Sequence, residues 1–191
     1  MGMAVKRELL SVTDYLAGEE FAPRKREYRA GEVYPMPDSS ARHNRITLNL
    51  YAAIDAATRG TTFELFVLDV KLLLSAHQAI YYPDVMLVGP GDDNHPLYRT
   101  SPCLIVEVLS PSTAGIDERE KWRHYRGIPS LRYYLLIDSE KRHARIRSRE
   151  GDKDSEGWLE QTLDEDDIVT LTCGPVSASL CLDDIYERSG L

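Results

Sequence analysis

No apolar run in this 191-residue chain approaches the roughly 20 residues that a membrane span needs. Met1 to Leu10 also lacks the apolar core of a signal peptide. The expectation is a cytoplasmic protein that makes no use of the membrane. Cysteine is scarce: Cys103, Cys173 and Cys181 are an odd number with no C-x-x-C pair, so neither a disulfide framework nor a zinc site is expected. Cys103, at the head of an apolar run, reads as a small core residue. No H-x-x-x-H pair, G-x-S-x-G elbow, Walker loop or G-x-G-x-x-G turn occurs. Their absence argues against zinc peptidases, serine hydrolases and common nucleotide-binding classes.

Basic charge is short overall, with 23 Lys and Arg against 31 Asp and Glu and a net charge of -8. The deficit is local. Residues 150–191 hold 12 acidic and 2 basic side chains, whereas residues 1–149 hold 19 acidic and 21 basic. Arg24-Lys25-Arg26 and the stretch from Lys141 to Arg149 are basic clusters, so the net charge does not exclude a nucleic-acid partner. The length fits one domain, 1–191, with an acidic C-terminal hairpin or edge region from about residue 144.

Hydrophobic spacing predicts a short helix over Ser11 to Glu20 and a strand over Tyr28 to Met36 interrupted at Gly31. The longest helix follows, from Ser39 or Ser40 to Arg59, with Gly60 as its stop. Alternation predicts strands at Phe66 to Leu74 and Ile80 to Val88. If Ser75 to Gln78 turn a hairpin, Asp69 falls opposite Asp84 and Lys71 opposite Tyr82. Cys103 to Leu109 reads as a central strand covered on both faces. Turn chemistry at Ser110-Pro111-Ser112-Thr113, a helix over Asp117 to Arg126 and a strand over Leu131 to Asp138 complete a right-handed crossover to a parallel neighbour. A polar hairpin, Ala144 to Arg149 with Trp158 to Leu163, a short strand near Val176 to Leu180 and a helical turn at Asp183 to Glu187 end the chain.

One residue in this pattern is energetically out of place. Glu107 stands within Leu104-Ile105-Val106-Glu107-Val108-Leu109, where an unpaired carboxylate costs several kcal/mol. An arginine such as Arg119 or Arg123 could compensate it, as could a divalent cation shared with Asp84 of Tyr82-Pro83-Asp84. Two carboxylates entering one site repel unless a cation lies between them, and Mg²⁺ takes one or two carboxylates together with waters and phosphate oxygens. Lys121, one helical turn after Asp117, either forms a surface ion pair with it or reaches the site, where an ammonium stabilises charge developing on a cleaved phosphodiester. Glu32, beside Gly31, is a further candidate acid. His43 and His124 are candidate proton carriers, each alone on a predicted helix.

Gly31-Glu32-Val33, Pro83-Asp84, Val106 to Thr113, and Asp117 followed by Lys121 and Tyr125 together resemble the Uma-two family, within the restriction-endonuclease-like PD-(D/E)XK superfamily. The resemblance runs from about Ser11 to Tyr186. It implies an α/β (α+β) fold with a mixed central sheet flanked by helices. It further implies Mg²⁺ or Mn²⁺ held by Asp84, Glu107 and the Val108 carbonyl, with Lys121 and Glu32 as catalytic partners. The implied activity is metal-dependent hydrolysis of DNA phosphodiesters, and one site per chain favours a homodimer for cutting both strands. The superfamily pattern puts a lysine two residues after the second acid; here that residue is Leu109. Its role passes to Lys121, with Lys71 as a competing donor, or the chain is a catalytically weak nuclease-fold module that binds nucleic acid or protein.

Overall fold

Ser11 and Ser40 each accept a hydrogen bond from the amide three residues on, that of Asp14 or His43, both at 3.1 Å. These caps start helices α1 (Val12–Glu19) and α2 (Ala41–Thr58). Gly60, with φ +77°, supplies the left-handed residue that lets the chain leave α2. The computed structural model describes residues 9–111, 115, 117–149 and 157–191. Ser112, Thr113, the side chain of Asp117 and the link from Glu150 to Glu156 lie outside the described residues.

The expected strand from Tyr28 to Met36 is instead a hairpin of β1 (Arg26–Arg29) and β2 (Glu32–Pro35). Ala30 and Gly31 both have positive φ, 46° and 94°, as a two-residue hairpin turn of the I′ kind requires. Any side chain at position 31 would also collide with Leu9, whose Cβ lies 2.6 Å from where a new Cβ would stand.

The strands Phe66 to Leu74 and Ile80 to Val88 are likewise each broken in two. β4 (Lys71–Leu74) and β5 (Ala79–Tyr81) pair in the expected register, Leu72 with Tyr81. On the far side, β3 (Glu64–Val67) and β6 (Val85–Val88) pair one residue out of step, Val67 with Val85. Leu68, at φ 64°, takes up the extra residue, and Pro83 opposite has no N–H to continue the ladder. The break sends the halves into different sheets. One has the order β2-β1-β5-β4-β7, with β7 at Tyr98–Arg99; the other is built on β6 and β3.

That second sheet runs β11-β10-β9-β8-β6-β3, with β8 at Pro102–Leu109, β9 at Tyr133–Asp138, β10 at Ala144–Arg149 and β11 at Trp158–Leu163. As the crossover implied, β8 and β9 are parallel. Between them a π-helical stretch, Asp117–Lys121, runs into α3 (Trp122–Tyr125). A separate hairpin, β12 (Val169–Cys173) with β13 (Val176–Leu180), contains a strand that the sequence reading passed over. A final helix, α4 (Leu182–Tyr186), follows it.

Two apolar cores flank the second sheet. On one side Ile46, Leu50 and Ile54 of α2 pack with Val85, Val106 and Val108, and with the β12–β13 hairpin. On the other, Ile105, Leu109 and Met86 meet Leu72, Leu74 and Tyr81 of the first sheet and Tyr125 of α3. Cys103 is not a lone core residue: it is bonded to Cys173 across a separation of 70 residues, tying β8 to β12. Periodicity placed Cys103 on an apolar run, but the strand that carries Cys173 was not read and nothing local could bring the two together. Among the described residues, no helix is long and apolar enough to cross a membrane.

Tyr186 closes the α2 side. Its hydroxyl lies 2.8 Å from the Asp138 carbonyl and 2.9 Å from that of His143, and accepts from the His143 amide at 3.0 Å. Burial pushes its pKa from 10.0 up to about 12. The unfolded phenol ionises first, so this contribution is complete below pH 10 and is lost as the pH rises through about 12. With solvent screening it is of order 2 kcal/mol. A Tyr186→Phe variant should therefore lose less urea stability across that interval than the parent protein.

Candidate active site

Glu107 lies on β8 between the two sheets, on the face of Ile105 and Leu109, and is 3% exposed. Its Oε1 accepts from Tyr125 Oη at 2.9 Å and from Lys121 Nζ at 3.2 Å. Neither Arg119 nor Arg123 is the cation at this carboxylate; Arg119 Nε donates to the Gly115 carbonyl. Burial, and after it the Glu107 charge, hold the Tyr125 pKa well above its usual value, so the phenol keeps its proton and donates. Lys121, 5% exposed, is no surface residue. It ends the π-helical stretch, where five residues rather than four close each turn, a local widening that recurs at functional sites.

The same ammonium lies 2.9 Å from Glu27 Oε1. Glu27 is 8% exposed and belongs to β1, so the ion pair joins the first sheet to the second. Register puts Glu27 opposite Tyr34 and Arg29 opposite Glu32, and cross-strand partners share a face. Glu27, Arg29 and Tyr34 line the central cavity. Glu32 is not among its lining residues, and its carboxylate accepts from Tyr34 Oη at 2.6 Å. Of the two acids on this hairpin, the structure brings Glu27 to Glu107. A two-residue turn read at Ala30-Gly31 would have put Glu27, Arg29, Glu32 and Tyr34 on one face, and only packing against the second sheet separates the two acids.

Asp84 stands at the crossing between sheets, just past Pro83. Its Oδ2 accepts from the Val108 amide at 2.7 Å, taking up a donor beyond the end of β6, and its Oδ1 meets His43 Nε2 at 2.9 Å. In an antiparallel ladder a residue's N–H and C=O face the same edge, so the Val108 carbonyl also faces the Asp84 side. His43 is on the buried stripe of α2, three residues before Ile46 and seven before Leu50. That spacing was the available signal for its position. His124 lies elsewhere: its Nδ1 meets Tyr81 Oη at 2.9 Å and its ring stacks on His77.

Asp69 does not face Asp84. The break at Leu68 turns it outward to pair with Lys25. Lys71 is outside the cavity, its ammonium 5.3 Å from the Tyr82 ring centre, and Leu109 is buried in the apolar core between the sheets. Lys121 is therefore the lysine that meets Glu107.

These groups border a cavity of about 640 Å³ that also takes in Arg24, Ser40 and the segment Pro35 to Ser39. Glu27, Asp84 and Glu107 bring three carboxylates and Lys121 one ammonium, an acidic excess in a setting of low exposure. Among the described residues no cluster of three or more His, Cys, Asp or Glu is arranged to hold a metal by side chains alone. Two carboxylates and a backbone carbonyl are nonetheless the donor chemistry that suits Mg²⁺, an ion that retains waters and takes substrate oxygens.

The fold is mixed α+β, with mixed sheets flanked by helices. Over 94% of this chain and 99% of the other, it superposes with TM-score 0.72 and 14% identity on a protein from Anabaena variabilis ATCC 29413 described as "a putative nuclease belonging to DUF820". The chain belongs to the Uma2 family, described as "Putative restriction endonuclease", which it matches over residues 12–180. Two relatives come from Synechocystis sp. (strain ATCC 27184 / PCC 6803 / Kazusa). "Uncharacterized protein sll1609" is 39% identical over 141 residues, 72% of this chain and 80% of its own. "Uncharacterized protein slr1290" is 33% identical over 179 residues, 93% and 92% of the respective chains.

Proposed function

We propose that the protein is a metal-dependent endonuclease that hydrolyses DNA phosphodiesters at the Asp84–Glu107–Lys121 centre. The observation that carries this reading is the one ammonium shared by two buried carboxylates, 2.9 Å from Glu27 and 3.2 Å from Glu107, beside Asp84 in one cavity. Asp84, Glu107 and the Val108 carbonyl would hold Mg²⁺ or Mn²⁺. Bound there, the ion supplies Lewis-acid charge for the phosphodiester and an acidified water as nucleophile.

The chain's own residues do the rest. Lys121 offers a positive charge to the phosphate oxygens as negative charge develops, in a site where water screens it little. Tyr125 fixes one oxygen of Glu107, and His43 together with the Val108 amide fixes both oxygens of Asp84. Glu27, rather than Glu32, is the acid placed to set the Lys121 ammonium. The test is Mn²⁺-dependent nicking of plasmid and oligonucleotide DNA by the parent protein, Asp84→Ala and Glu107→Gln, alongside calorimetric Mn²⁺ titration. Nicking by the parent alone, with metal binding weakened in both variants, supports the reading. Undiminished nicking in both variants removes this centre. DNA binding with no Mn²⁺ uptake and no cleavage would instead make the chain a nuclease-fold binding module.

A further inference from the structure

The cavity has a second lining that hydrolysis at the acidic floor does not use. Tyr34, Pro35, Met36 and Pro37 form an aromatic and apolar wall, and Arg24 and Arg29 stand on β1 and just before it. The Arg29 guanidinium lies 3.6 Å from the Tyr34 ring centre, and its Nη1 donates to Glu120 at 2.8 Å. Its Nε is buried with no hydrogen-bond partner among the described residues. Arg24 is exposed, with no ion pair among the described residues. Tyr34, the aromatic residue of that wall, is 36% exposed. An aromatic ring, a stacked guanidinium and an exposed cation are what bind a base and its phosphate without reading its hydrogen-bonding edge.

Size narrows the class. At about 640 Å³ the cavity falls in the range of pockets that enclose one small ligand, roughly 300–1,000 Å³. One nucleotide is such a group, and a stack of base pairs is not. The reacting groups lie deep: Glu107 and Lys121 are almost fully buried, so the phosphodiester must enter the cavity to meet them. A paired nucleotide could place its base against Tyr34 only by leaving the helix, at the cost of unstacking and unpairing. In a single strand that cost is least.

We propose that the wall formed by Tyr34, Arg29 and Arg24 receives the base and flanking phosphate of one nucleotide of an unpaired DNA strand. The proposal rests on the nuclease reading of the floor. It makes strandedness, rather than base sequence, the first selection at the site, and cutting one strand needs only one copy of the chain.

The experiment is fluorescence anisotropy of a labelled oligonucleotide in Ca²⁺, single-stranded or as a perfect duplex, with cleavage in Mn²⁺ followed separately. The single strand should bind about tenfold more tightly than the duplex, and Tyr34→Ala should weaken single-strand binding about tenfold while Tyr34→Phe does not. Arg24→Ala, on an exposed side chain that the fold does not need, should weaken it as well. Duplex binding as tight as single-strand binding, or equal binding by the parent, Tyr34→Ala and Arg24→Ala, overturns the proposal. Metal-dependent cleavage without strand preference removes this inference and leaves the nuclease. A single-strand preference that depends on Tyr34, with no cleavage of any DNA, does the reverse.

Discussion

Replacing Lys121 with methionine is expected to lower stability by about 3–5 kcal/mol, because it leaves two buried carboxylates without their shared cation. Methionine keeps most of the side-chain volume, so the loss reports charge more than packing. Glu27 and Glu107 approach the ammonium at 2.9 and 3.2 Å from different sheets, and removing it turns attraction into repulsion across the interface. The urea midpoint of Lys121→Met should recover in large part when Glu107→Gln and Glu27→Gln are added. If all three backgrounds unfolded alike, the acids would not be sharing one charge. Activity should fall about 10²–10³-fold, the usual loss when one preorganised charge stabiliser is removed. The structural role is read in the stability that the triple variant regains, and the charge-stabilising role in folded Lys121→Met alone, since Glu107→Gln by itself removes nicking.

Reducing the Cys103–Cys173 bond is expected to cost about 4 kcal/mol, the chain-entropy value for a closed loop of 70 residues. Cys173→Ser should have a urea midpoint near that of the reduced parent, and a reductant should leave it unchanged. Thiol alkylation followed by mass measurement gives the occupancy directly: the oxidised parent should take up one label, at Cys181, and the reduced chain three. A parent protein whose midpoint ignores reductant would show that this crosslink contributes nothing. The bond also bears on the expected compartment. Disulfides persist where the surroundings are oxidising and are rare in reducing cytosol, so the oxidised state inside cells is itself informative.

Much of this architecture was legible in residue spacing. Both long-range features that build the centre, the apolar β8 strand around Glu107 and the parallel step to β9, came from periodicity and strand-helix-strand order. So did the register of Leu72 with Tyr81. What stayed hidden were turns made by residues that do not announce them. Ala30 precedes Gly31 with positive φ, and Leu68 adopts the same region with a branched side chain. Leu68 breaks a strand that alternation reads as continuous, and Ala30-Gly31 reverse one read only as interrupted, since alternation records which face is buried and not where the chain reverses. Glu27 drew no notice because the strand was read from Tyr28, one residue after it. His43 could be placed on α2 but not against Asp84, and Cys103 and Cys173 share no local pattern, because tertiary packing alone brings those pairs together.

The crossing at Pro83-Asp84 has a consequence for how the protein comes to life. Glu27 belongs to one sheet and Glu107 to the other, Asp84 sits on the strand of chain that passes between them, and Lys121 arrives last in sequence on its own helical turn. No single hairpin or sheet carries a complete set. During synthesis, or in a partly unfolded chain, the acids are scattered and the ammonium has nothing to neutralise. The three acids and the ammonium therefore come together only through the docking of the two sheets, and no smaller unit of the fold assembles them.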